Sequence, residues 1–181
     1  MKPETCHEDH QRADSMLSMR TAFALEVGST RKAGASQRTW APAPSFSAPS
    51  RDQAFIELLA AFRPHGGLMR GIDLADILVR RGQGDHAGLA RMIVAGLVIS
   101  FEWNHCYWVP AFQLDGYSLV VRSGAGRAIA HLAGVFDGWD AATWFATPNP
   151  WLSERAPVDV LEGDENAVAN AARIARFVIT G

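Results

Sequence analysis

The sequence predicts a mainly α protein: a winged-helix-like middle module carrying one β-hairpin, followed by a small all-helical C-terminal domain. Three observations carry this. Apolar residues recur at three- and four-residue spacing over most of Arg51–Ala95 and again over Gly124–Ile179, the period of a helix with one buried face. The period changes to that of a strand only between Val98 and Phe112. The stretch Trp144–Leu161, WFATPNPWLSERAPVDVL, packs two tryptophans and three prolines between two helical patterns.

Residues 1–50 read as a disordered segment and linker. Met1–Asp14 is densely charged, and only Met16–Val27 has an amphipathic pattern. Residues 33–50 are rich in Ala, Pro and Ser, which favours extended chain and cannot fill a core. The middle module spans 51–115. Ser50 is a good N-cap for a first helix, Arg51–Phe62, with Phe55, Leu58, Leu59 and Phe62 at helical spacing. A second helix, Asp73–Arg81, takes Asp73 as its cap and turns Leu74, Ile77 and Leu78 to one side. A third, Asp85–Ala95, turns Leu89, Met92 and Ile93 inward and ends at Gly96. Val98–Trp103 and Cys106–Phe112 then flank the polar pair Asn104-His105, as in a hairpin, with Pro110 placing the second strand at an edge or near its end. Helix, turn, helix and hairpin is the order of a winged-helix-like module.

Gln113–Ser123 is a connector, and the C-terminal domain covers 123–181. Gly124–Ala133 and Gly138–Ala146 are helical, the latter capped by Asp137 and stopped by Thr147-Pro148-Asn149-Pro150. Ala156–Leu161 is a short helix with Pro157 in its first turn, where a missing N–H costs little. Asp164 caps a last helix, Glu165–Ile179, whose small residues allow close packing.

Composition narrows the function. Net charge is -2, so a whole-chain basic footprint for nucleic acid is absent. Lys2 and Lys32 are the only lysines among 17 basic residues. An arginine bias serves bidentate contacts, and it is also what a GC-rich genome produces. Two cysteines, Cys6 and Cys106, make no disulfide framework. Neither a secretory leader nor an apolar run of membrane-spanning length is present, so the expected compartment is the cytoplasm.

The segment WFATPNPWLSERAPVDVLEGDENAVANAAR resembles the toxin-binding domain of Xre/MbcA/ParS-type antitoxins. The likeness rests on Trp144, the turn Thr147–Pro150, Leu152, Arg155, Pro157, the apolar Val158–Leu161, Gly163-Asp164, Ala167-Val168 and Ala171–Arg173, and extends over Ser123–Phe177. It implies a protein, not an enzyme, that binds a cognate toxin, commonly a RES-domain protein consuming NAD, and occludes its active site. It further implies an upstream helix-turn-helix that represses its own operon, and an assembly of several copies. No cofactor is implied. The chain departs from the family at Ser153-Glu154, where glycines are usual, and in its hairpin, which a standard Xre helix-turn-helix lacks.

On this basis the toxin-binding candidates are Trp144, Asn149, Trp151, Leu152, Arg155, Arg173, Arg176 and Phe177. The tryptophans, Leu152 and the arginines each have a structural alternative. Trp144 is read chiefly as core. Arg155 is placed to pair with Asp159 one turn along, and Arg173 and Arg176 complement the dipole at the end of the last helix. Arg80, Arg81 and Arg91 bracket the turn between the second and third helices and are the candidates for DNA, with a solvated charged face as the alternative. Cys6, His7 and His10 lack the partners of a metal site. Gly124-Ala125-Gly126 opens a helix as an anion cradle does, without the lysine or spacing of a phosphate loop. The competing functions are a DNA-binding regulator and an interaction module with no toxin partner.

Overall fold

The computed structural model describes residues 50–181, and the segment expected to be disordered lies outside them. Seven α-helices and three strands follow in the order α1 (Arg51–Phe62), β1 (Leu68–Arg70), α2 (Gly71–Arg81), α3 (His86–Val94), β2 (Phe101–Trp103), β3 (Cys106–Pro110), α4 (Ser123–Leu132), α5 (Gly138–Ala146), α6 (Pro157–Val160) and α7 (Glu165–Thr180). The described chain is therefore mainly α with one small antiparallel sheet, as the periodicity predicts.

Capping residues set most helix starts. Ser50, Asp85, Asp137 and Asp164 each accept a hydrogen bond from a backbone N–H of the first turn, in α1, α3, α5 and α7. The second helix departs from expectation. It starts at Gly71, with Arg70 as its N-cap, and Asp73 lies inside the first turn. There the carboxylate accepts from both Nε and Nη2 of Arg70, at 2.7 and 2.9 Å. A carboxylate inside the first turn favours the helix through its dipole as a cap does, so the residue type alone did not fix the boundary.

The sheet has the order β1-β3-β2. The Asn104-His105 turn closes the β2–β3 hairpin with both residues in the left-handed region, φ 48° and 58°, the backbone of a tight primed turn. The sequence reading missed β1, which pairs antiparallel with β3 from Leu68↔Pro110 to Arg70↔Trp108. Three residues give no periodic signal. Because β1 is present, β3 is the central strand, and Pro110 stands at its last position instead of on an edge. Helix, strand, two helices and a returning hairpin whose second strand pairs with the first is winged-helix topology.

The expected strand from Val98 begins only at Phe101. Val98 and Ile99 are buried, but Ile99 is held by a side chain instead of a neighbouring strand. Gln113, with 0% exposure, accepts from Ile99 N–H at 2.7 Å and donates to the carbonyls of Ile99 and Pro110, each at 2.9 Å. One amide thus meets the backbone needs of two buried residues.

Two apolar cores result. The smaller joins Leu74, Leu78 and Leu89 to Val98 and Val109. The larger combines Phe55, Phe62, Phe101 and Phe112 with Ile129, Phe145, Leu152 and Val168, so residues from both halves of the chain fill one interior. Phe112 stacks on Phe62 at 5.3 Å and tilts against Phe145 at 4.7 Å, and Trp139 meets Phe101 edge-on at 4.8 Å. The start of α5 lies directly on the β2 approach: a Cβ at Gly138 would be driven into the Ser100 carbonyl oxygen.

Candidate functional site: an exposed tryptophan on a fixed turn

The segment between α5 and α6 is a compact turn organised by Asn149. Its side-chain Oδ1 accepts from Trp151 N–H at 2.9 Å, and its carbonyl accepts from Leu152 N–H at 2.9 Å and Glu154 N–H at 3.1 Å. Its own N–H donates to the Arg155 carbonyl at 3.0 Å. The sequence supplies the parts: Pro148 and Pro150 end the helix and open a 3-10 turn over Pro150–Leu152, where Asn149 is the cap. Ser153 and Glu154 follow in the left-handed region, φ 56° and 60°. The chain keeps a backbone that suits glycine while carrying side chains there.

The turn sorts its apolar residues by direction. Leu152 points inward at 6% exposure, whereas Trp151 points outward at 67%. Trp144 is partly buried against the core and meets Phe145 edge-on at 4.9 Å, in keeping with its expected core role. Leu152 and Asn149 were candidates for partner contact. Burial gives Leu152 to the core, and Asn149, also buried, reaches a partner only through the residues it orients.

The arginine candidates divide in the same way. Arg155 stays exposed, with Nη2 donating to the Asp159 carbonyl at 2.9 Å, a backbone contact where a side-chain pair was the alternative. Arg176 reaches the carbonyls of His131 and Ala133 at 3.3 and 3.0 Å, covering the C-terminal end of α4, so its guanidinium serves the fold. Arg173 is exposed, and Phe177 is 72% exposed on the last turn of α7, followed by the exposed Val178 and Ile179. The sequence reading offers the tail Phe177–Gly181 for partner contact, yet sets Val178 on the packed face of the last helix, where it is 72% exposed. The contrary signal was available: three consecutive large apolar residues cannot all face a core from one helix.

On the winged-helix side, Arg81 donates to the carbonyls of Gly116 and Tyr117 at 3.3 and 2.9 Å, which ties α2 to the connector. Arg80 is exposed, and Arg91 lies 3.9 Å from Asp85 on an exposed face. The outer side of α3, the helix that enters the major groove in DNA-binding winged helices, shows Ala87, Ala90 and Val94 beside Arg91, with Val94 88% exposed. That face offers one cation for phosphate and mostly apolar surface.

The glycines opening α4 are not a vacant cradle. The Glu165 carboxylate lies over them, accepting from Arg127 Nη2 at 2.9 Å, and a Cβ at Gly124 would strike its side chain. No group of three or more metal-ligating side chains occurs among the described residues, and Cys6, His7 and His10 lie outside them. No helix among the described residues is long and apolar enough to cross a membrane. No family model matches the chain, and no curated protein or solved structure matches it either.

Proposed function

We propose that this is an antitoxin-like protein whose C-terminal helices bind a cognate toxin and cover its substrate cleft. One observation supports the reading above all: Trp151 points outward, 67% exposed, on a turn whose backbone is braced by the N–H groups of Asn149, Trp151, Leu152, Glu154 and Arg155. An exposed tryptophan costs solubility, and one carried on a braced turn is a ready anchor, since little backbone entropy remains to be lost on docking. At about 25 cal/mol per Å² over a ring of about 200 Å², burying the exposed share contributes roughly 3 kcal/mol before other costs. That is the scale of a binding hot spot. Arg155 beside it and Phe177 on α7 extend the contact surface. Inhibition is stoichiometric, without chemistry by this chain. The resemblance of Trp144–Arg173 points to a RES-domain, NAD-consuming toxin, met in the cytoplasm by a homo-oligomer of this chain.

Co-expression of the full chain with such a toxin tests the reading. A co-purifying complex, rescue of growth and loss of both in Trp151→Ala are the expected results. Persistent toxicity with no complex overturns it. Point variants are the right tool, because removing 123–181 would also remove part of the core that α1 and the sheet share.

The winged-helix topology favours a second reading, a DNA-binding regulator. It requires a salt-sensitive mobility shift that Arg80→Ala and Arg91→Ala weaken. Absence of any shift at low salt removes it.

A further inference from the structure

We infer that the winged-helix module positions the Trp151 turn through His65, a residue with no assigned role. The inference rests on the reading of Trp151 as a partner contact. His65 lies in the 3-10 turn Arg63–His65 that closes α1, and its Nε2 is 2.9 Å from Asp159 Oδ1, 94 residues further along the chain. Both ends of this contact stand on anchored backbone. Phe62, before the turn, is fully buried, and Gly66, after it, takes the left-handed conformation, φ 92°, that reverses the chain. Asp159 is on α6, whose Pro157, Val158 and Val160 are all buried.

From Asp159 the contacts run on to the tryptophan. The Asp159 carbonyl accepts from Arg155 Nη2 at 2.9 Å, the Arg155 carbonyl accepts from Asn149 N–H at 3.0 Å, and Asn149 Oδ1 accepts from Trp151 N–H at 2.9 Å. The Arg155 guanidinium and the backbone that carries the Trp151 indole, the two exposed parts of the proposed contact surface, are thus both tied to α6. His65 ties the exposed side of α6 to the winged-helix module, beyond the core contacts of Val158 and Val160. Without the imidazole, Asp159 is released, and the exposed side of α6, whose other three residues stay buried, is freer to shift. The turn then samples more orientations, and a partner must select among them. His65 is a positioning residue: it acts on the contact surface without belonging to it. A single side-chain contact of this kind at the surface supports a change of about two- to fivefold in partner affinity.

The test needs no partner. In the 15N-labelled full chain, the indole N–H cross-peak of Trp151 is assigned by its loss in Trp151→Phe. His65→Ala and Asp159→Ala are expected to shift or broaden that cross-peak. The Trp103 indole, bonded to Asp52 at the other end of α1, stays in place as the reference. His65→Gln, which carries an amide nitrogen near the position of Nε2, is expected to restore the wild-type position. An unmoved Trp151 cross-peak in the two folded alanine variants overturns the inference, as does a His65→Gln spectrum matching that of His65→Ala. If His65→Ala fails to fold, Asp159→Ala, at an exposed position, decides alone. A failure here removes the coupling and leaves toxin binding untouched, whereas a failed co-purification removes toxin binding and leaves the cross-peak result standing.

Discussion

Replacing Gln113 by Leu is expected to be the most damaging polar-to-apolar change in the chain, although it puts an apolar side chain of similar size into a fully buried site. Three hydrogen bonds are lost together: Ile99 N–H to Oε1, and Nε2 to the carbonyls of Ile99 and Pro110. The leucine leaves one donor and two acceptors buried with no partner of their own. Each such group costs about 1–3 kcal/mol. Carbonyls tolerate it better than an N–H, and part of the loss is offset by removing a buried amide, so a net cost of about 3–5 kcal/mol follows. That is a large share of the roughly 5–15 kcal/mol that holds a typical domain. Urea unfolding followed by tryptophan fluorescence should show the midpoint falling with little change in slope. Gln113→Glu sharpens the test. It keeps an acceptor for Ile99 N–H but turns a second oxygen toward two carbonyls. Burial and those carbonyls raise its folded pKa above the unfolded value of about 4.3. The penalty is therefore full at pH above the folded pKa and shrinks as pH falls toward the unfolded one. A loss below about 1 kcal/mol for Gln113→Leu would show that Ile99 and Pro110 find other partners, and would refute the bracing role of this amide.

Gly138→Ala should cost about 2–3 kcal/mol by thermal unfolding, because the new methyl meets the Ser100 backbone, which cannot yield as a side chain can. Gly116→Ala, where a Cβ meets nothing within 4 Å, is the control, and equal effects would discount the close approach. Ser153→Gly should raise stability by about 0.5–1 kcal/mol, the relief of a left-handed L-residue less the entropy of glycine; a drop would mean that the serine side chain stabilises the turn. The Asp115 carboxyl is held below its usual pKa, chiefly by the Ser118 backbone N–H and then by the Ser118 hydroxyl. Its contribution is present above the unfolded pKa and lost as pH falls through the folded one, so the stability gap between wild type and Asp115→Ala should close on acidification. A gap independent of pH between neutral and strongly acidic solution would contradict that link.

The caps and the hairpin turn were legible in the sequence because they are local. Ser50, Asp85, Asp137 and Asp164 each act on the N–H group three residues on, and Asn104-His105 needs only its own backbone freedom. The Trp151 turn was legible in part. Two prolines and an asparagine announce a turn, but not that Leu152 faces inward while Trp151 faces out. Nor does side-chain type announce the left-handed pair Ser153-Glu154 that closes the turn. Arg176 shows the same limit: near a helix end in sequence, it serves the end of a different helix, α4, in space.

The sequence by itself determined the helices, their boundaries to within a turn and the single change of period, since each depends on neighbours a few residues apart. Only the tertiary structure decided the rest. It placed β1 against β3, put Gln113 beside Ile99, filled the Gly124 cradle with Glu165 and brought His65 to Asp159. Those pairings join residues distant along the chain. They form only when the shared burial of both halves offsets the entropy of closing the loops between them, and no local pattern records where such loops close.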